Sequence, residues 1–182
     1  ATARAGNVIA GGDWSEDRII PDAIRSLANN ETIEVRNPEA VRPWQHVLDP
    51  LSGYLKLAQE LYDTKYCDYS LCDSFNFGPN NQNQIKVSEL VNLIIEYWPG
   101  NWKHISSKDK LEEAKLLNLN IEKSKNLLDW EPLWDFKSTT YYTINWYKNF
   151  NNGLSSLKCC ESDILSYQSN LNNFHNSKKS IN

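Results

Sequence analysis

The chain has 182 residues, 40% of them hydrophobic and 23% charged, with a formal net charge of −4. A chain of this size and near-average composition holds about one domain, which excludes wholesale disorder. An acidic balance with scattered Lys and Arg excludes the basic footprint of a nucleic-acid or anionic-membrane binder, and no apolar run approaches the roughly 18 residues of a membrane span.

In chain order, Thr2 to Ile9 reads as a short buried strand, ended by Gly11-Gly12-Asp13 and a loop through Asp17. Pro21 suits the first turn of a helix with apolar Ala23, Ile24, Leu27 and Ala28, closed by Asn29-Asn30. Thr32 to Arg36 leans to strand and stops at Asn37-Pro38, and Val41 to Leu48 is extended around Pro43. Asp49-Pro50 predicts a helix start, with Asp as N-cap and Pro at the first helical position. Leu51, Tyr54, Leu55, Ala58, Leu61 and Tyr62 follow at helical spacing.

Further on, Ser74 to Phe77 is a strand ended by Gly78-Pro79, and Ser88 is the expected cap of a helix stopped by Pro99-Gly100. Asn120 caps another helix reaching Trp130, and Thr139 to Phe150 is an aromatic-rich helix. Residues 151 to 159 read as a linker, Asp163 to Leu171 as a last short helix, and the polar end as frayed. Short strands alternating with helices point to an α/β fold, with too few strands for a complete doubly wound sheet. The chain has no Met and opens at Ala1 on an apolar, strand-like segment, so the C-terminal piece of a longer protein is expected.

Several chemistries are excluded by spacing. Gly6 and Gly11 have the spacing of a phosphate loop, but Gly12-Asp13 stands where Lys and Ser/Thr are needed. There is no G-x-G-x-x-G turn. His46, His104 and His175 stand beside no nucleophile motif, and no His/Cys/carboxylate group has metal-ligand spacing. Cys67, Cys72, Cys159 and Cys160 include no Cys-x-x-Cys and are expected to be reduced thiols in the cytoplasm. What remains is an anion-binding pattern: Arg18, Arg36 and Arg42 in the loop-rich first quarter, with Arg42 held extended before Pro43-Trp44. An Arg stacked on Trp44 or paired at the surface is the competing reading.

A resemblance rests on longer strings. Arg4-Ala5-Gly6-Asn7-Val8-Ile9, Gly11-Gly12-Asp13-Trp14 and Val41-Arg42-Pro43-Trp44-Gln45-His46-Val47-Leu48 resemble the C-terminal half of the CDP-glucose 4,6-dehydratase family. This family belongs to the extended short-chain dehydrogenase/reductases. Phe75-Asn76-Phe77-Gly78-Pro79, Leu128-Asp129-Trp130-Glu131-Pro132 and Thr143, Trp146 and Tyr147 continue the likeness to about residue 168. Two departures stand out: Asp129 replaces a Gly, and Glu112 replaces a His beside the Glu113-Ala114 pair, adding negative charge near a diphosphate site.

The resemblance implies an α/β fold made of the last strand of an NAD(P)-binding Rossmann-like sheet plus a mixed α/β substrate domain, over residues 1–168, with a polar tail at 169–182. It implies an NAD-dependent lyase that converts CDP-glucose to CDP-4-dehydro-6-deoxy-glucose and water, with this chain as the substrate-holding half and inactive alone. NAD would be bound mainly by residues before Ala1, where the Tyr-x-x-x-Lys pair also lies, so no catalytic, cofactor-binding or metal residue is assigned here. Asn7, Arg18, Val35, Arg42, Asn76 and Glu113 are the implied substrate contacts. The implied partners are CDP-glucose or a related nucleotide sugar, and a second copy in a full-length cytoplasmic homodimer. Two alternatives stay open: a non-catalytic nucleotide-sugar-binding or assembly module, and half of another extended reductase such as a nucleotide-sugar epimerase.

Overall fold

The computed structural model describes residues 1–63, 71–80, 84–106 and 119–179. Its first segment is two strands, not one. Thr2–Ala5 (β1) and Val8–Ile9 (β2) are separated at Gly6-Asn7, where Asn7 takes φ 47°, a left-handed value that Asn tolerates better than most residues. The kink sends the two strands to different partners. β1 pairs in parallel with Ser74–Phe77 (β6), and β2 in parallel with Gln45–His46 (β5). Gln45 joins the two ladders: its buried amide donates to the carbonyls of Gly6 and Phe77, both at 2.9 Å. Contrary to the expected buried strand, Thr2, Ala3 and Arg4 are exposed.

Ile19–Ala28 (α1) buries Ile20, Pro21, Ala23, Ile24 and Leu27, while Ala28 faces out. It leads to Ile33–Val35 (β3), which pairs in parallel with Trp102–His104 (β8). Val41–Pro43 (β4) runs antiparallel to Gln84–Lys86 (β7). These ladders and α1 pack with Val87–Tyr97 (α3) and Phe136–Asn151 (α5) around Ile33, Val35, Leu90, Ile94, Ile144 and Trp146. Gly11 is required in this packing, because a Cβ there would lie 2.0 Å from Cγ of Trp146. A second core joins β6 to Leu48–Asp63 (α2) and Glu122–Leu128 (α4) through Leu57, Phe75, Phe77, Ile121, Leu128 and Trp130.

Helix α2 departs from the sequence reading in two ways. It starts at Leu48, so Asp49 lies inside the first turn and is not the N-cap. The buried carboxylate accepts instead from the Leu133 amide at 2.7 Å. The apolar stripe also splits: Pro50, Gly53 and Leu57 are buried, while Leu51, Leu55, Ala58 and Tyr62 face outward. Gly53 sets this rotation, since a Cβ there would meet Phe77 at 2.2 Å.

The other helix ends are mixed. Ser88 is inside α3, whose N-cap is Lys86 with no side-chain bond. The Asn120 side chain does accept from the Glu122 amide at 2.9 Å, and Asp129 closes α4 at φ 46° where Gly would carry no penalty. The expected linker shrinks to a turn containing Gly153 at φ 92°, and the expected short helix is Ser156–Lys179 (α6), 24 residues long. Its buried face carries Cys159, Asp163 and Tyr167, while Leu157, Ile164 and Leu165 are exposed. That inversion hides the helix from a reading based on apolar periodicity.

Candidate functional site

The kink at Asn7, the loop before α1 and the ends of β3, β4 and β8 enclose a cleft of about 1040 Å³. That is at the upper end of the usual range for small-molecule sites, roughly 300–1,000 Å³. Asn7, Arg18, Val35 and Arg42, separated by up to 35 positions in sequence, all line it. Asn7 enters through the left-handed kink, and Arg18 stands at the extended residue before α1. Val35 ends β3 and is buried, and Arg42 is at the centre of β4 with only 7% exposure. The Arg42 guanidinium donates to the carbonyl of Val41 at 2.9 Å. Burying a guanidinium is costly unless it is paired, and planar donor forks suit phosphate oxygens.

One expected contact lies elsewhere. Asn76 is on β6 and does not line the cleft; its amide donates to the carbonyl of Asn120 at 3.0 Å. It therefore ties β6 to the start of α4. Glu113 falls outside the described residues, as does Cys67 among the cysteines.

The cleft holds further groups, among them Arg36 of the expected arginine cluster. Arg36, Asp13, Asp17, Trp44, His104 and Ser106 also line the cleft. Arg18 pairs with Asp13 at 3.4 Å, and Arg36 pairs with Asp17 across the cleft mouth. The amide of Ser15 and the nearby Arg18 hold the Asp13 carboxyl below its usual range, against some burial. The bond from Asp17 raises Arg36 further. His104 stands opposite Val35 in the parallel β3–β8 register, with Nε2 3.2 Å from the carbonyl of Arg36. Arg36 was visible in sequence as part of the arginine cluster. His104 was not, because strand register between residues 69 positions apart has no local signal.

The donor set is guanidinium, amide and hydroxyl, which suits a ligand rich in anionic and hydroxyl oxygens. Among the described residues no group of His, Cys, Asp and Glu could hold a metal ion, and no helix is long and apolar enough to cross a membrane.

No protein-family model matches the chain. It is 39% identical over 171 residues, 93% of its length, to CDP-glucose 4,6-dehydratase of Salmonella typhimurium, and spans 46% of that protein. Among solved structures it superposes on dTDP-glucose 4,6-dehydratase of Bacillus anthracis in complex with NAD, with a TM-score of 0.63 at 23% identity, over 81% of this chain and 44% of that one. UDP-glucose-4-epimerase of Stenotrophomonas maltophila, with bound NAD and formylated UDP-arabinopyranose, gives 0.68 at 16% identity, over 84% and 48%. UDP-glucuronic acid 4-epimerase of Bacillus cereus gives 0.65 at 14%, over 81% and 45%.

The fold is thus shared with part of these dehydratase and epimerase structures. The chain is a sequence relative of CDP-glucose 4,6-dehydratase, and it spans about half the length of the curated relative it matches.

Proposed function

We propose that this chain is the nucleotide-sugar-holding part of an NAD-dependent CDP-glucose 4,6-dehydratase. The whole enzyme would convert CDP-glucose to CDP-4-dehydro-6-deoxy-glucose and water. The observation that carries this reading is the convergence of Asn7, Arg18, Val35 and Arg42 on one cleft, in a chain 39% identical to such an enzyme.

Each residue has a role its chemistry supports. Arg42, buried at the centre of β4, supplies a fixed guanidinium to the diphosphate. Arg18, exposed beside it on the loop, can leave Asp13 for an anionic oxygen, since exposed pairs are worth little. The Asn7 amide addresses sugar or phosphate oxygens, and Val35 gives the base an apolar contact. Together they fix the pose of the substrate, and orientation is itself a large share of catalysis.

NAD, when bound, accepts and returns the hydride of such a reaction. This sequence contains no G-x-G-x-x-G turn and no Tyr-x-x-x-Lys pair. The residues present do not fit the dinucleotide, and no hydride or proton transfer is assigned to them. The purified chain is expected to bind ligand without turning it over.

Calorimetric titration tests this reading, with CDP-glucose, UDP-glucose and an Arg42→Ala variant. Saturable binding that prefers CDP-glucose and weakens roughly 10- to 100-fold in the variant is the expected result, from the net value of charge-assisted hydrogen bonds. Equal binding by the variant would remove Arg42 from the site. Turnover by the chain with NAD would overturn the assignment of roles.

A further inference from the structure

Behind the cleft wall lies a buried cluster that the proposed binding role does not use. Strand β5 follows directly on Arg42-Pro43-Trp44 and carries His46, which is 1% exposed. Its Nδ1 accepts the amide of Leu48 at 3.3 Å, which fixes the neutral tautomer with the proton on Nε2. That Nε2 has no hydrogen-bond partner and faces Oδ2 of Asp163, on α6, at 4.0 Å. One turn further along α6, the Tyr167 hydroxyl donates to Oδ1 of Asp49 at 2.9 Å and lies 3.1 Å from Oγ of Ser52. Ser52 also accepts from the Trp130 indole at 3.0 Å. The Trp134 ring closes the cluster, edge-on to both His46 and Tyr167.

Helix α6 packs on α5 and reaches the back of the cleft wall through the polar ends of Asp163 and Tyr167, with Leu157, Ile164 and Leu165 turned to solvent. Such a contact depends on the protonation of its members, because burial penalises charge. The titratable groups around Asp163 are His46 from β5, Asp49 from α2, and Cys159 and Tyr167 on α6 itself. The buried face of α5 brings threonines, Ile144, Trp146 and Tyr147, with no carboxylate or amine. No buried cation is present among these groups to hold Asp163 ionised.

We propose that α6 is a proton-operated clamp on the cleft wall. With Asp163 neutral, the helix docks on His46 and Asp49 and fixes the β4–β5 segment that carries Arg42 and Trp44. Loss of the Asp163 proton to solvent undocks the helix and loosens that segment. His46, Asp163 and Tyr167 are then positioning residues. They touch no ligand and act through β5 and α2. Burial supports the direction, raising Asp163 to about 7 and lowering His46 to about 3.

The clamp is separate from the ligand assignment, because amide hydrogen exchange reads it in the whole chain with no ligand added. Exchange is followed at residues 156–179 and 41–47, corrected for intrinsic rate. Protection of both segments should fall about tenfold from about pH 6 to about pH 8, as linkage to one such carboxyl requires. Asp163→Asn should cut that step to about the twofold share of Asp49 while keeping the segments protected. A wild-type chain without the step, or an Asp163→Asn chain that retains it in full, would overturn the clamp. A step in α6 that leaves residues 41–47 unchanged would overturn the coupling to the wall. Should Asp163→Asn fail to fold, Tyr167→Phe is the second variant. It should lower protection at both pH values with the step retained, and wild-type protection in that variant would overturn the docking contact.

Discussion

At the residue scale the cleft is governed by competition for guanidinium groups. Arg36 and Asp17 pair across its mouth with side-chain exposures of 55% and 71%. A pair so exposed contributes about 0–1 kcal/mol to stability, so its cost to the fold is small and its effect on an incoming anion is larger. Asp17 sits at φ 60°, and Asn adopts that conformation at least as readily. Asp17→Asn should therefore leave the melting temperature almost unchanged while strengthening binding of a nucleoside-diphosphate sugar severalfold, and titration beside a melting curve checks both. Unchanged affinity would mean that Arg36 does not reach the ligand. Asn7 and Arg42 were picked out by strings that resemble the dehydratase family, and both line the cleft; Pro43, which holds Arg42 extended, left an arginine stacked on Trp44 or paired at the surface as a competing reading. The Arg36–Asp17 pair joins residues 19 apart through a loop path that no periodicity encodes.

At the scale of elements, helix starts depend on what a capping side chain can reach, and the sequence reading began α5 only at Thr139. Helix α5 begins with Asp135, whose Oδ1 accepts the Ser138 amide at 2.8 Å, the ordinary N-cap bond. Asp135→Ala should cost about 1 kcal/mol, read as a lower denaturation midpoint with an unchanged slope. The loss should reach the cleft only weakly, since α5 meets it through the Tyr147 hydroxyl on the carbonyl of Asp13 at 2.6 Å. A full loss of ligand binding would show that α5 holds the loop more directly than this bond implies. Asp49, before Pro50, is the cap that the sequence predicts for α2, and its outcome differs. Tertiary contacts from Leu133 and Tyr167 claim the Asp49 carboxylate, and helix α2 starts two residues before the expected Pro50. Local signals place helices well, but cannot show whether a capping side chain has a stronger partner far along the chain. Helix α6 is the extreme case: its buried face combines Cys159, Asp163 and Tyr167 while Leu157, Ile164 and Leu165 face out, so its length was invisible to apolar patterning.

At the scale of the whole molecule, three buried groups set opposing trends of stability with pH. His46 is lowered from 6.5 to about 3 by burial. Its contribution is present above 6.5 and is lost as pH falls toward 3. Asp163 is raised from 3.8 to about 7 and Asp49 from 3.8 to about 6, both chiefly by burial. Their contributions are full below 3.8 and are lost as pH rises through 6 to 7. Between about pH 4 and about pH 6, two groups bind more protons in the folded state and one binds fewer, so their joint effect lowers stability as pH rises. The Asp49→Asn, Asp163→Asn double variant removes the two falling trends. The side-chain carbonyl it places at position 49 can still accept from the Leu133 amide and the Tyr167 hydroxyl, leaving His46 as the remaining buried group of the three. Its melting temperature should rise across that window relative to the wild-type chain, and the two curves should run parallel above about pH 8. Partly exposed carboxyls such as Asp13 are the same in both proteins and cancel in the difference. Parallel curves across the whole window would mean that these carboxyls are already ionised in the folded chain, and the polar back of the cleft wall would then be permanently charged.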